Sequence, residues 1–101
     1  MRGDEASTRR QGRTSRATAI IRNQRGLHAR AAARFVKLAG TFDVDVSVSK
    51  GDLTVSGHSI LGLMMLAAAP GSAVELIATG PDAKQAVAAL TALIENMFEE
   101  H

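Results

Sequence analysis

The chain has 101 residues, of which 46% are hydrophobic and 22% charged, and this is the size and composition of one small globular domain. It contains no cysteine, which excludes disulfides, thiol nucleophiles and cysteine-based metal centres. The net charge of +2 is uneven, because residues 1–25 hold seven arginines against two acidic residues, whereas residues 26–101 hold five basic against eight acidic residues. Residues 1–16 contain almost no apolar side chain, so we predict a disordered basic tail followed by a folded domain over residues 17–101.

The distribution of apolar and aromatic residues argues against membrane insertion, secretion and the stacking of nucleic-acid bases. The longest apolar run, residues 60–69, is half the roughly 20 residues that a membrane-spanning helix needs. Residues 1–16 lack the apolar core of a signal peptide, so we expect a soluble, cytoplasmic protein without membrane contact. Tryptophan and tyrosine are absent, which disfavours stacking on single-stranded nucleic acid, although the basic tail keeps nucleic-acid binding as a distant alternative.

The first half of the domain has the pattern of a strand, a helix and a second strand. Residues 17–22 form a short apolar strand, and a polar loop leads to a helix over residues 28–39, whose apolar positions recur at helical spacing. Gly40 is predicted to end that helix in the left-handed conformation. Residues 42–49 alternate between apolar and polar side chains, which indicates a strand with one buried face.

The second half continues with a hairpin, a helix, a strand and a last helix. Residues 50–52 form a turn to a strand over Leu53–Ser56, and a short helix is predicted over residues 60–66. A strand over Ala73–Thr79 precedes a final helix with an apolar stripe of Ala83, Ala86, Val87, Leu90, Ile94 and Met97. The order β-α-β-β-α-β-α predicts an α+β fold, a four-stranded antiparallel sheet with three helices on one face.

His28 lies where a polar loop meets the first predicted helix, in the sequence Gly26-Leu27-His28-Ala29-Arg30. The N–H groups and the positive dipole end of a helix start bind phosphate and favour a neutral, nucleophilic imidazole. Arg30 can add a charge-assisted hydrogen bond to a phosphoryl group on the ring. The pattern predicts nucleophilic chemistry by His28 with phosphate as cargo, and the alternative is a histidine that only caps the helix.

The helix predicted after Ser59 is apolar on nearly all sides. A helix this short cannot bury every face in a small domain, so we expect a surface for protein partners that involves Ile60, Leu61, Leu63 and Met64. The alternative is that the run belongs to the core and that Ser59 is only the helix N-cap. No group of histidines and carboxylates has metal-ligand spacing and no nucleotide-binding motif is present, so neither a metal nor a cofactor is expected.

Two motifs together resemble the HPr family, the phosphocarriers of the bacterial phosphotransferase system. Residues 26–32 are similar to the family's phosphohistidine signature, residues 59–64 are similar to its regulatory-serine motif, and the 31-residue separation of His28 and Ser59 also fits. The resemblance covers about residues 17–98 and implies an open-faced β-sandwich. It further implies that His28 takes a phosphoryl group on Nδ1 from phospho-enzyme I and passes it to a histidine of an enzyme IIA, with Arg30 as the active-site arginine.

The resemblance also implies that Ser59 is phosphorylated by an HPr kinase, and that the protein is a stoichiometric carrier rather than an enzyme. We expect a monomer. The chain departs from the family pattern at Ala31, where proline usually follows the arginine, at His58, where lysine often precedes the serine, and in the arginine-rich residues 1–16. The output is sugar uptake or regulation, and the alternative is a nitrogen-branch or regulatory module that keeps the fold but acts by docking to proteins.

Overall fold

Within residues 13–100, which the computed structural model describes, four antiparallel strands form one layer and three helices form the other. The elements are β1 (Thr14–Ile20), α1 (Ala29–Ala39), β2 (Asp45–Lys50), β3 (Leu53–Ser56), α2 (Ile60–Met65), β4 (Ala73–Thr79), α3 (Ala83–Glu95) and a 3-10 turn (Met97–Glu99). The predicted fold class and element order are confirmed. In this part of the chain no helix is long and apolar enough to cross a membrane.

The sheet has the strand order β1-β4-β2-β3, and each neighbouring pair is antiparallel. Along β4, Val74, Leu76 and Ala78 are buried, whereas the residues between them are more exposed. This alternation arises because successive side chains of a strand point to opposite faces of the sheet. One face of the sheet therefore packs against the helices, and the other remains open.

The hydrophobic core lies between the sheet and the helices. Its helical side is made of Ala31, Ala32, Phe35 and Ala39 from α1, Leu63 from α2, and Ala83, Ala86, Val87, Leu90 and Ile94 from α3. Full burial of a large aliphatic or aromatic side chain stabilises a fold by about 1.5–3 kcal/mol. This packing holds the beginning of α1, and with it His28, at a fixed position relative to the sheet.

The predicted boundary between tail and domain is wrong. β1 begins at Thr14 rather than at residue 17, and Thr14 and Arg16 are partners of Thr79 and Ile77 in β4. Backbone pairing with β4 therefore places residues 14–16 in the sheet, although their polar side chains gave no sign of a buried face. Residues 1–12 of the predicted tail lie outside the described residues.

Two predictions on the segment between α1 and β2 are also wrong. Gly40 caps α1 in a right-handed conformation (φ −68°), and its N–H donates to the Val36 carbonyl at 3.0 Å, so the helix ends without a left-handed residue. β2 begins at Asp45 rather than at residue 42, and Phe42 and Val44 pack half-buried against the core from the loop before the strand.

The apolar stripe of the last helix ends at Ile94, and Met97 does not belong to it. α3 ends at Glu95, and Met97, Phe98 and Glu99 then adopt positive φ values of 56°, 53° and 65°. This left-handed turn directs Phe98 into the core, where it is fully buried, whereas Met97 is 37% exposed. The change of backbone hand after α3 also determines where the next residue, Glu100, lies.

Candidate functional site

His28 is the N-cap of α1. Its backbone is extended, its carbonyl accepts the Ala32 N–H at 2.8 Å, and its Nδ1 accepts the Arg30 N–H at 3.3 Å. An N-cap side chain usually offers a hydroxyl or carboxylate oxygen to the second or third N–H of the helix, and here the imidazole nitrogen takes that position. Nδ1 therefore faces the positive end of α1 as a hydrogen-bond acceptor and carries no proton.

Gly26 brings the loop before His28 into direct contact with the segment that follows α2. Its φ is +68°, and a Cβ at this position would lie 2.5 Å from the Ala68 carbonyl oxygen. That same oxygen accepts the Leu27 N–H at 3.0 Å. Because only glycine avoids both the positive φ penalty and this clash, it fixes the path of the chain into His28.

The other ring nitrogen of His28 is held by a residue that the sequence analysis did not identify. Nε2 lies 2.5 Å from Oε2 of Glu100, and the Oε1 atom of Glu100 accepts the Asn23 side-chain amide at 2.9 Å. The buried Asn23 amide also donates to the Gly26 carbonyl at 2.6 Å. A carboxylate can only accept, so Nε2 carries the ring proton and Nδ1 keeps its lone pair.

Glu100 reaches His28 because the left-handed turn after α3 folds back along α1. Phe98 anchors this turn in the core, and Nη1 of Arg34 donates to the Phe98 carbonyl at 2.6 Å. Three successive non-glycine residues with positive φ, here residues 97–99, are uncommon, and no sequence pattern predicts them. The contact also joins residues that are 72 positions apart, beyond the reach of any local motif.

The surroundings of Glu100 favour its ionised form. Burial raises its pKa, but hydrogen bonds from Asn23 and His28, together with the positive charges of a protonated His28 ring and of Arg34, outweigh burial and lower the pKa of Glu100 below the ordinary glutamate value. A carboxylate therefore faces Nε2 of His28 at neutral pH.

This arrangement suits transfer of an electrophilic group to Nδ1. The ring is neutral when its one proton lies on Nε2, and bonding of a phosphoryl group to Nδ1 makes it an imidazolium whose positive charge faces Glu100. The side chain of His28 is 18% exposed, so a partner can reach one edge of the ring. The N–H groups at the start of α1 lie on the Nδ1 side, where the phosphoryl oxygens would be.

Arg30 stands in the first turn of α1 with an exposed side chain. Among residues 13–100 its guanidinium makes no hydrogen bond and no ion pair, so it does not contact the unmodified His28 ring in that way. Its backbone N–H, by contrast, is the donor to Nδ1. The role of the Arg30 side chain toward a phosphoryl group remains a prediction.

Ser59 is the N-cap of α2, as predicted, and its Oγ accepts the Gly62 N–H at 2.9 Å. Four side chains of α2 form an exposed apolar surface, which we name the α2 surface: Ile60 (41% exposed), Leu61 (70%), Met64 (41%) and Met65 (63%). The prediction that Leu63 contacts partners is wrong, because this side chain points into the core and is fully buried. Met65, which was not predicted, is exposed in its place.

The α2 surface and His28 belong to neighbouring parts of the molecule. α1 packs against α2, and the Leu27 N–H, one residue before His28, bonds to Ala68 just beyond α2. A protein that covers the α2 surface can therefore extend to the beginning of α1.

Comparison with known proteins assigns the family. A family model described as the PTS HPr component phosphorylation site matches residues 15–96. The chain belongs to the HPr family of phosphocarriers. Family membership agrees with the resemblance carried by residues 26–32 and 59–64.

The relatives include carriers of two names. The phosphocarrier protein HPr of Cupriavidus necator is 51% identical over 85 residues, which cover 84% of this chain and 94% of that protein. The phosphocarrier protein NPr of Shewanella violacea is 40% identical over 80 residues, which cover 79% of this chain and 88% of that protein. The crystal structure of HPr-C-His from Thermoanaerobacter tengcongensis has a TM-score of 0.82 and 41% identity, and covers 86% of this chain and 98% of its own.

Proposed function

We propose that His28 carries a phosphoryl group on Nδ1, accepts it from phospho-enzyme I and passes it to a histidine of an enzyme IIA protein. The observation that carries this proposal is the pair of contacts that the ring makes: Nε2 lies 2.5 Å from a carboxylate oxygen of Glu100, and Nδ1 lies 3.3 Å from the Arg30 nitrogen. These contacts assign the ring proton to Nε2 and leave the Nδ1 lone pair at the start of α1. Membership of the HPr family supports the same role. The protein acts as a stoichiometric carrier and not as a catalyst.

The transfer step needs no co-reactant beyond the phosphorylated donor. Nδ1 of His28 attacks the donor's phosphorus, a new N–P bond forms, and the donor's own N–P bond breaks with its electron pair returning to the donor nitrogen. The ring of His28 becomes an imidazolium that the Glu100 carboxylate stabilises. Onward transfer reverses this change, because the acceptor nitrogen takes the phosphoryl group and His28 becomes neutral again.

Incubation with enzyme I and labelled phosphoenolpyruvate tests the proposal. The chain should take up acid-labile, base-stable phosphate, His28→Ala should take up none, and His58→Ala, which changes an exposed histidine outside the site, should label normally. Label that persists in His28→Ala, or a native chain that takes up none, contradicts the proposal. A chain that is labelled but does not pass the group to an enzyme IIA contradicts its second half.

Arg30 is proposed to stabilise the phosphoryl oxygens, because its exposed guanidinium stands in the first turn of α1 and has no other partner among residues 13–100. A hydrogen bond to a charged group contributes about 1.5–3 kcal/mol, so Arg30→Ala should slow transfer about tenfold or more. Lys37→Ala is the matched control, since Lys37 is exposed in the last turn of the same helix. Equal transfer rates for native protein and Arg30→Ala would make Arg30 plain helix surface.

The α2 surface is proposed to contact both enzyme I and enzyme IIA. Leu61, its most exposed residue, lies on the surface of a helix that packs beside α1. Leu61→Asp should weaken both complexes, because the new charge would lose water at an apolar contact. Unchanged binding by folded Leu61→Asp would exclude the α2 surface from the interface.

Ser59 is proposed to be a regulatory phosphorylation site, modified by an HPr kinase. Its hydroxyl caps α2, so a phosphate there meets the helix N–H groups and should leave the fold intact, while it adds up to about two negative charges beside the apolar α2 surface. Ser59→Asp should stay folded and accept phosphate from enzyme I more slowly. Ser59→Ala, which loses only the cap, should lose about 1 kcal/mol of stability and transfer normally. A normal rate for Ser59→Asp would leave Ser59 with its capping role alone.

A nitrogen-branch or regulatory role is the second candidate function. The observation that favours it is the 40% identity to a phosphocarrier named NPr. Both candidates use the same His28, so they differ in the acceptor. To distinguish them, the rate of transfer from the phosphorylated chain is compared for a sugar-branch and a nitrogen-branch enzyme IIA at equal concentrations. The acceptor that is phosphorylated faster identifies the branch.

Residues 1–12 are proposed to be dispensable for transfer. β1 begins at Thr14 and forms its full ladder with β4, so a deletion that leaves the sheet whole must stop before this strand. Removal of residues 1–12 should leave the transfer rate and the midpoint of unfolding unchanged. Salt-sensitive binding of RNA or DNA by the full chain, lost on this deletion, would instead give the basic segment a nucleic-acid role.

A further inference from the structure

A cavity of about 430 Å³ opens beside α1, and both Arg30 and Glu100 line it. Its walls come from the loop before α1, from the first turns of α1 and from the 3-10 turn after α3. His28 is not among its lining residues. The cavity shares Arg30, whose backbone N–H donates to Nδ1, with the position that a phosphoryl group on Nδ1 would occupy, and its wall also includes Arg25 and Arg34. Its volume lies within the range of small-molecule sites, about 300–1,000 Å³.

Three arginines line this cavity. Arg30 and Arg34 are four residues apart, and so lie on the same face of α1, while Arg25 faces them from the preceding loop. Within residues 13–100, the guanidiniums of Arg25 and Arg30 make no hydrogen bond or ion pair. Arg34 is held by the Phe98 carbonyl through Nη1, which leaves its other N–H groups available in a fixed position.

The carboxylates in the wall neutralise these arginines only in part. Each oxygen of Glu100 already accepts one hydrogen bond, from His28 or from Asn23, and its charge also interacts with Arg34. Glu99 is exposed at the rim and forms no ion pair within residues 13–100. Among the described residues that line the cavity, three positive groups therefore stand against two negative ones.

We infer that this cavity binds a small anion that carries more than one phosphate or carboxylate group. Guanidinium groups bind such oxygens through two parallel hydrogen bonds, and convergence of three of them suits a ligand with several anionic groups better than one with a single group. The ligand lies between the loop before α1 and the turn after α3. It forms no covalent bond to His28, but it shares Arg30 with the phosphoryl position of the proposed function, so its binding is tested on the unphosphorylated chain.

Titration of the ¹⁵N-labelled, unphosphorylated full chain with inorganic pyrophosphate, at constant ionic strength, tests this inference. Saturable chemical-shift changes are expected at the amides of the cavity wall, in particular Gln24, Arg25 and Met97. Arg25→Gln should weaken binding about tenfold, because one charge-assisted contact is lost. Arg16→Gln is the matched control and should bind as the native chain does, since Arg16 lies on the sheet, 3.9 Å from Glu75. Orthophosphate should bind more weakly than pyrophosphate.

Three results would overturn the inference. The first is the absence of saturable changes with pyrophosphate. The second is a set of changes confined to Ala29 and Arg30 and unaffected by Arg25→Gln, which would place the anion at the start of α1 instead of in the cavity. The third is equal weakening of pyrophosphate binding by Arg16→Gln and Arg25→Gln, which would indicate attraction by overall charge.

Arg34→Lys keeps the positive charge but removes the planar guanidinium with its paired donors. This variant should also weaken binding if the cavity is the site.

Discussion

Oε2 of Glu100 lies 2.5 Å from Nε2 of His28, so Glu100 determines which nitrogen of the ring carries the proton. The sheet and α1 position the ring, but the turn after α3 decides its tautomer. Glu100 contacts Nε2 of His28 and not Nδ1, so we expect it to act through His28 as a positioning residue. Its effect should be seen both in the transfer rate and in the pH dependence of stability.

Replacement of Glu100 by glutamine should slow the acceptance of phosphate by His28. The amide can still accept a hydrogen bond from Nε2, but it lacks the negative charge that balances the imidazolium. Charge-assisted hydrogen bonds are roughly twice as strong as neutral ones, so we expect a reduction of about 3- to 10-fold in the transfer rate from phospho-enzyme I. Glu95→Gln, an exposed change in the last turn of α3, is the control and should transfer normally. Equal rates for the two variants would remove Glu100 from the site.

The contribution of Glu100 to stability should decrease as the pH falls. Its pKa is lowered in the folded state, because hydrogen bonds and positive neighbours outweigh burial. A lowered pKa means that the contribution is fully present above the ordinary glutamate value of about 4.3 and is lost as the pH falls through the folded value. Urea unfolding should show native protein more stable than Glu100→Gln at neutral pH, with the difference shrinking below about pH 4.

Met97→Ala serves as the control for this pH series, because it alters the same turn without changing a titratable group. The difference in the free energy of unfolding between Met97→Ala and native protein should stay constant with pH. If the stability difference between native protein and Glu100→Gln grew as the pH fell, the direction of the pKa shift of Glu100 would be contradicted.

Phe98 should contribute far more to stability than its neighbour Met97. Phe98 is fully buried and Met97 is 37% exposed. Phe98→Ala should therefore lower the free energy of unfolding by about 3–5 kcal/mol, whereas Met97→Ala should change it by less than about 1 kcal/mol. Equilibrium denaturation measures both. Similar losses for the two variants would mean that the turn does not anchor Glu100 through Phe98.

Substitutions of Leu61 and Leu63 should have different effects, the first on partner binding and the second on stability. Leu61→Ala removes an exposed side chain, so it should leave stability nearly unchanged and weaken the complexes with enzyme I and enzyme IIA. Leu63→Ala removes a fully buried one, so it should cost about 2–5 kcal/mol of stability. Calorimetry of binding and of unfolding checks the pair. A loss of stability in Leu61→Ala comparable to that in Leu63→Ala would contradict the assignment of Leu61 to a free surface.

The sequence predicted the elements whose own side chains alternate or repeat. β3 and β4 have the predicted bounds, and Ser59 caps a helix as expected, because a period of two or a cap before an apolar helix is a local signal. The helix predicted from residue 28 begins at Ala29, with His28 as its N-cap. The first residues of β1 were missed because they are held by backbone pairing and have polar side chains.

The part of the site that was missed depends on distant contacts. Leu63 was wrongly expected on the surface, and the exposed Met65 was not predicted, because an all-apolar helix does not reveal which face its neighbours cover. Glu100 was missed because a left-handed turn without glycine sends it back across the fold to a residue far away in the chain. Local patterns thus located His28, whereas the group that sets its tautomer required the tertiary structure.

The position of the phosphorus on the ring of His28 tests the central claim most directly. The chain, labelled with ¹⁵N in histidine and phosphorylated by enzyme I and phosphoenolpyruvate, should show ³¹P–¹⁵N coupling to Nδ1 of His28, with the remaining ring proton on Nε2. Coupling to Nε2 of His28, or to a nitrogen of His58 or His101, would contradict a site in which Glu100 holds Nε2 and leaves Nδ1 free to take the phosphoryl group.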